Sequence, residues 1–123
     1  MSLPKHIAFI MDGNGRWGQS KKQGRNFGHL NGVKVIEKIV KYSLKKKLPI
    51  LTFYVFSTEN WSRPIKEIRY LFTLIKSYFE NEIFNLIKNG VRIQIYGDIS
   101  KLPLETRKIL KSAIKSTKRN KKI

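Results

Sequence analysis

The sequence contains no cysteine, only four prolines and only 8 acidic residues, set against 26 lysines and arginines in 123 positions. Without cysteine there can be no disulfide and no thiolate metal site, which fits a reducing compartment. Few prolines and 41% hydrophobic residues exclude a disordered chain and indicate a globular one of a single domain. No run approaches the roughly 20 apolar residues that span a bilayer. The opening Met1-Ser2-Leu3-Pro4-Lys5-His6 has no signal-peptide core. The expectation is a cytoplasmic chain, still able to meet the inner membrane surface. The scarcity of carboxylates leaves a formal charge of +18, which favours nucleic acid, anionic lipid or phosphorylated small molecules as partners. A lysine-rich surface can equally be a solvated one.

Residues 7–11 form a short apolar run, which reads as a strand buried on both faces of a parallel sheet. Residues 12–28 are polar and glycine-rich and read as a long functional loop. Residues 33–44 predict an amphipathic helix, with Val33, Ile36, Val40 and Leu44 on one face and Lys34, Lys38, Lys41 and Lys45 on the other. Residues 50–56 read as a second buried strand and 57–64 as a second polar loop. A long helix follows over 65–88 and ends at Asn89-Gly90. It carries one stripe from Ile68 to Ile83 and a second of Tyr70, Leu74 and Tyr78. Residues 91–96 alternate and predict a half-exposed strand. Pro103 opens a third helix around Ile109, Leu110, Ala113 and Ile114, and the tail from Thr117 reads as frayed. Strand and helix alternate, so the fold class is α/β with a mainly parallel sheet flanked by helices. Ligands in such sheets bind beyond the carboxyl ends of the strands.

The first of those loops holds Asp12-Gly13-Asn14-Gly15-Arg16-Trp17. An aspartate after a buried strand suits a magnesium ion, which takes one or two carboxylates plus substrate phosphate. Gly13 and Gly15 let backbone amides approach a ligand. Arg16 offers a planar fork for phosphate oxygens, and Trp17 an apolar wall. Together these suit a diphosphate joined to a hydrocarbon. The competing reading is a tight turn with Asp12 as cap and Trp17 as packing. Arg25 and His29, four apart, can share a helix face and reach phosphate. Alternatively they are a solvent-facing arginine and a helix-start histidine.

Gly13, Gly15 and Gly18 also spell the dinucleotide fingerprint. That motif opens a helix directly, whereas ten more polar residues are read here as loop. No acidic residue ends the next strand either, so an oxidoreductase reading is set aside. In the second loop, Ser57, Thr58, Glu59, Asn60, Trp61 and Arg63 crowd together. Ser62 and Pro64 can begin a helix with Glu67 in its first turn, but that leaves the preceding polar side chains unexplained.

Ile10 through Trp17, then Gly28-His29, then Phe56 through Pro64 closely resemble the signature blocks of the cis-prenyltransferases, the undecaprenyl diphosphate synthase or isoprenyl transferase family. Gly97-Asp98 is similar more weakly. The resemblance covers the whole chain as the N-terminal part, 1–123, of a single domain. It implies repeated condensation of isopentenyl diphosphate onto farnesyl diphosphate with cis geometry, magnesium dependence, a homodimer and a carrier-lipid product for the cell wall. It implies Asp12 as catalytic residue and metal ligand. Gly13, Asn14, Gly15, Arg16, Arg25 and His29 would hold the allylic diphosphate. Trp17, Ser57, Thr58, Glu59, Trp61 and Arg63 would complete the pocket, with Asn60 at the isopentenyl group and Glu67 affecting loop closure. The family's C-terminal blocks are not found in these 123 residues. The expectation is a truncated chain, inactive alone, with nucleic-acid binding through the lysine tail as the alternative function.

Overall fold

The computed structural model describes residues 3–55, 64–121 and 123. Its elements are β1 (His6–Ile10), α1 (Asn14–Ser20), α2 (Arg25–Lys46), β2 (Ile50–Tyr54), α3 (Ile65–Lys88) and α4 (Leu104–Thr117). The chain divides into two compact units at 71/72.

In the first unit, β1 and β2 pair in parallel, with His6 opposite Ile50 and Ile10 opposite Tyr54. The α/β class with a parallel sheet and flanking helices therefore holds. The strands are not buried on both faces as their composition suggests. Burial alternates along each of them: Ile7 and Phe9 are half-buried, while Ile10 and Tyr54 are 77% and 55% exposed. A two-stranded sheet buries one face and leaves the next residue of each pleat open. Phe9 and Phe53 meet across the ladder with ring centroids 5.4 Å apart. His6 donates or accepts a hydrogen bond with the Thr52 hydroxyl at 2.7 Å.

The predicted loop over 12–28 is instead mostly helix. After Asp12 the chain turns at Gly13, whose φ of 79° few other residues tolerate. The Trp17 amide then bonds to the Gly13 carbonyl, starting α1. A short turn leads into α2, which starts eight residues before the apolar periodicity does. Backbone contact explains this early start. A side chain at Gly28 would collide with the Asn14 carbonyl, and one at Gly18 with the Gly24 carbonyl. The two helices form because their backbones touch, a tertiary gain that overrides poor helix propensity. The lysine face of α2 is exposed as expected, with Val33, Ile36, Val40 and Leu44 half-buried.

α3 has the predicted bounds. Pro64 precedes it, and the Glu67 and Ile68 amides bond to the Pro64 carbonyl. At its end Gly90 takes φ 76°. The Gly90 amide bonds to the Ile87 carbonyl and the Val91 amide to Leu86, which is a Schellman cap. Ile68 lies in the core of the first unit and Phe72, Leu74 and Leu86 in that of the second. Leu74, read from the sequence as part of a separate stripe, is thus a core residue.

In the second unit, residues 91–96 are extended and alternate in burial, but they join no ladder among the described residues. The predicted strand is present as a pattern and lacks a partner. α4 packs Thr106, Leu110, Ala113 and Thr117 inward, and Pro103 is its N-cap rather than its first turn. The tail is not frayed at Thr117. That side chain is fully buried, donates to the Ala113 carbonyl and accepts from the Ile93 amide. Among the described residues no helix is long and apolar enough to cross a membrane.

Candidate functional site

The first unit brings Gly15, Arg25 and His29 together with Glu67 at the junction of α1, α2 and the start of α3. α2 presents Arg25 and His29 one turn apart on the same face. Both reach Glu67 in the first turn of α3: Arg25 Nε donates to Glu67 Oε1 at 2.9 Å, and His29 Nε2 bonds to the same oxygen at 2.7 Å. The His29 and Glu67 side chains are only 7% and 8% exposed. Burial by itself would raise the Glu67 carboxyl. Hydrogen bonds from His29 and then Arg25, with the charge on each, outweigh that and hold it below its ordinary value. An ionised carboxylate can only accept, so Nε2 of His29 carries the proton. Glu67 thus fixes the orientation of the imidazole and leaves Nδ1 as its one ring nitrogen for another partner.

Arg25 also lies over α1. A side chain at Gly15 would meet its guanidinium at 2.6–2.9 Å. The missing Cβ at Gly15 therefore gives Arg25 the room to cross to Glu67 above the glycine-rich turn. A second, weaker contact runs from Arg25 Nη1 to Gln19 Oε1 at 3.4 Å. A shallow cleft of 390 Å³ opens beside this arginine, walled by Arg25, Asn26, Lys66 and Glu67.

Asp12 and Arg16 occupy the turn and first helical turn before it. The Gly13 amide donates to Asp12 Oδ1 at 2.8 Å, and Arg16 Nη2 lies 4.0 Å from Oδ2. Both side chains are largely open to solvent, 67% and 75% exposed, so their attraction holds little energy in water. Among the described residues no three His, Cys, Asp or Glu side chains gather as a metal cluster. A single open carboxylate fits magnesium as one ligand beside waters and a substrate phosphate, and does not fit an ion caged by protein alone.

Asn14 does not point freely into the site. Its amide lies against Gly32 of α2, where a side chain would meet Nδ2 at 2.5 Å. Its described part is to seat α1 on α2. Trp17 stacks on Phe27 with ring centroids 5.7 Å apart and 9° between planes. Phe27 is a partner of Trp17 that sequence reasoning missed. Its pairing is visible only once α2 is known to begin at Arg25. Ser57, Thr58, Glu59, Asn60, Trp61 and Arg63 fall outside the described residues.

Residues 10–123 match the model of a family described as putative undecaprenyl diphosphate synthase. An isoprenyl transferase of Clostridium perfringens is 48% identical over 118 residues, 96% of this chain and 47% of that protein. A ditrans,polycis-undecaprenyl-diphosphate synthase, (2E,6E)-farnesyl-diphosphate specific, of Wigglesworthia glossinidia brevipalpis is 45% identical over 98% of this chain and 46% of its own length. Among solved structures, a probable undecaprenyl diphosphate synthase of Campylobacter jejuni superposes with a TM-score of 0.76 at 30% identity, over 99% of this chain and 52% of that one. Lavandulyl diphosphate synthase of Lavandula x intermedia, in complex with dimethylallyl diphosphate, superposes with a TM-score of 0.91 at 24% identity, a likeness of fold. The chain spans about half the length of the curated relatives it matches.

Proposed function

Because this chain belongs to the prenyltransferase family described as putative undecaprenyl diphosphate synthase, an enzyme class, we propose that it binds the allylic diphosphate of a cis-prenyl transfer. The observation that carries this reading is the bridge from Glu67 to Arg25 and His29, built beside the Asp12–Trp17 turn. It holds the Arg25 guanidinium in fixed orientation on a buried support, and His29 beside it, which can donate from Nδ1 once its ring carries the second proton.

In this reading the substrate is farnesyl diphosphate. Arg16, Arg25 and His29 bond its phosphate oxygens, together with the amides of Gly13, Asn14 and Gly15. Asp12 would hold a magnesium ion, which would supply positive charge at the leaving group. Fixed donors aimed at the departing diphosphate stabilise it where its charge develops, and they need no reorganisation as the carbon–oxygen bond breaks. Trp17 and Phe27 present a stacked apolar wall to the hydrocarbon. Ser57, Thr58, Glu59, Trp61 and Arg63 are assigned to the rest of the pocket from the resemblance. Asn60 positions the isopentenyl group. A neutral amide is too weak a base to take the proton, which passes to a diphosphate oxygen. The product would be a cis-polyprenyl diphosphate of the undecaprenyl type. Its lipid tail would bring a cytoplasmic enzyme to the membrane surface, and homodimeric assembly is part of the same proposal.

The test is calorimetric titration of farnesyl diphosphate into the 123-residue chain and its Asp12→Ala and Arg25→Ala variants, with and without magnesium. Magnesium-dependent binding that weakens at least roughly tenfold in both variants, the loss of one charged hydrogen bond or more, is the expected result. Equal affinity in all three proteins would overturn the reading.

A further inference from the structure

The His29 ring is tied on one side only. Its Nε2 donates to Glu67 Oε1 at 2.7 Å, and no bond reaches Nδ1 among the described residues. Nδ1 is not sealed in either. Among the described residues the one buried side-chain nitrogen or oxygen without a partner is Arg107 Nε. Nδ1 therefore lies at the narrow opening that leaves this side chain 7% exposed. With the ring proton on Nε2, Nδ1 is an acceptor. An ionised phosphate oxygen is an acceptor too. The two cannot bond until Nδ1 gains a proton.

The pocket without a ligand does not supply a reason for that proton. Glu67 brings one negative charge, and the Arg25 guanidinium, 2.9 Å from the same oxygen, already balances it. An imidazolium added to this pair would be a surplus cation in a mostly buried cluster. The neighbouring elements add no buried carboxylate to offset it. α3 contributes Lys66 beside Arg25. α1 carries only Arg16 as a charged residue, β1 only His6, and β2 neither carboxylate nor cation. Asp12, on the turn before α1, is 67% exposed and faces Arg16.

A diphosphate changes this balance. It brings negative charge to the Nδ1 side while Glu67 keeps the Nε2 side. An imidazolium between two acceptors donates to both. We propose that binding of the allylic diphosphate takes up one proton from solvent, which comes to rest on Nδ1 of His29 and bonds a phosphate oxygen. Glu67 is the positioning residue that holds the opposite edge of the ring. The inference rests on the reading of the site as an allylic-diphosphate site. It adds a direction: where the free ring lacks the second proton, affinity falls as pH rises, by up to about tenfold per pH unit.

The chain has two histidines, His6 and His29, so NMR of the 123-residue chain with isotope-labelled histidine reads each ring directly. His6→Gln assigns the signals. The probe is farnesyl diphosphate with excess magnesium at about pH 8, well above the last ionisation of phosphate esters. In the free chain, Nδ1 of His29 should show the shift of a bare ring nitrogen. At saturation both ring nitrogens should show N–H shifts. Glu67→Gln keeps an acceptor for Nε2 and removes its charge, so the same change should need a lower pH. Calorimetry at this pH in Hepes and in Tris should give binding heats that differ by the ionisation heats of the two buffers, and His29→Gln should bring them together. Movement of the Gly13 and Gly15 amide signals while Nδ1 stays bare would overturn the proposal and leave the binding reading standing. So would an Nδ1 already protonated in the free chain, or a buffer-dependent heat undiminished in His29→Gln. No change in any signal would overturn both.

Discussion

A single carboxylate oxygen, Glu67 Oε1, lies 2.7 Å from His29 Nε2 and 2.9 Å from Arg25 Nε. Removing that carboxylate leaves a buried imidazole N–H and a half-buried guanidinium without their acceptor. Glu67→Ala is expected to destabilise the fold by about 1–3 kcal/mol, the range for charged hydrogen bonds and unsatisfied buried donors. Glu67→Gln, which can still accept, should cost less. Urea unfolding followed by circular dichroism checks both.

The same carboxyl sets an acid dependence. Its folded pKa is lowered below the ordinary 4.5. The unfolded state therefore takes up the proton first. The stabilisation is complete above that ordinary value and is lost as pH falls through the lower folded one. Urea midpoints measured across this acid range should fall more steeply for the wild type than for Glu67→Gln, whose side chain does not titrate. Parallel curves would remove Glu67 as the cause.

Gly28→Ala tests the helix junction. The added methyl would strike the Asn14 carbonyl, so α1 must move away. The expected cost is about 1–3 kcal/mol, as for overpacking, even though alanine is the better helix former. Propensity predicts a gain and backbone contact predicts a loss, so the sign of the change in melting temperature decides between them.

Thr117→Val removes one hydroxyl of nearly unchanged volume. That hydroxyl joins the Ile93 amide to the Ala113 carbonyl in a fully buried position. A part-buried amide left unpaired should cost about 1 kcal/mol. The Ile93 amide should also exchange faster with solvent, as read by NMR.

Asp12→Asn is expected to leave stability within about 0.5 kcal/mol, as for an exposed side chain with little to lose. Its carboxylate is 67% exposed, and the Arg16 guanidinium lies 4.0 Å away. A thermal melt superimposable on the wild type, beside weakened binding of farnesyl diphosphate, would separate a ligand-binding role from a structural one.

The bounds of α3 could be read from the sequence because local signals at both ends agree: Pro64 before it and Asn89-Gly90 after it. The apolar face of α2 was equally legible from Val33 onward. Its first two turns and all of α1 were not. Glycine and polar residues there mimic a loop, and only the backbone contact of Gly28 with Asn14 reveals the helices. For the same reason, the fingerprint glycines of residues 13–18 do open a helix, contrary to the reading of that stretch as a loop. At the candidate site, the sequence reading named Asp12 for a metal and Arg16, Arg25 and His29 for phosphate. That Arg25 and His29 share one oxygen of Glu67 was not, because the partners are 42 and 38 residues apart in sequence.

Gly18 and Gly28 fasten α1 to α2 by close backbone contact. A chain of net charge +18 repels itself most strongly in dilute buffer, where charges are felt over longer distances. Lowering the salt should therefore loosen the lysine-covered parts first. The turn that carries Asp12 and Arg16 should keep its place over Arg25 to the last.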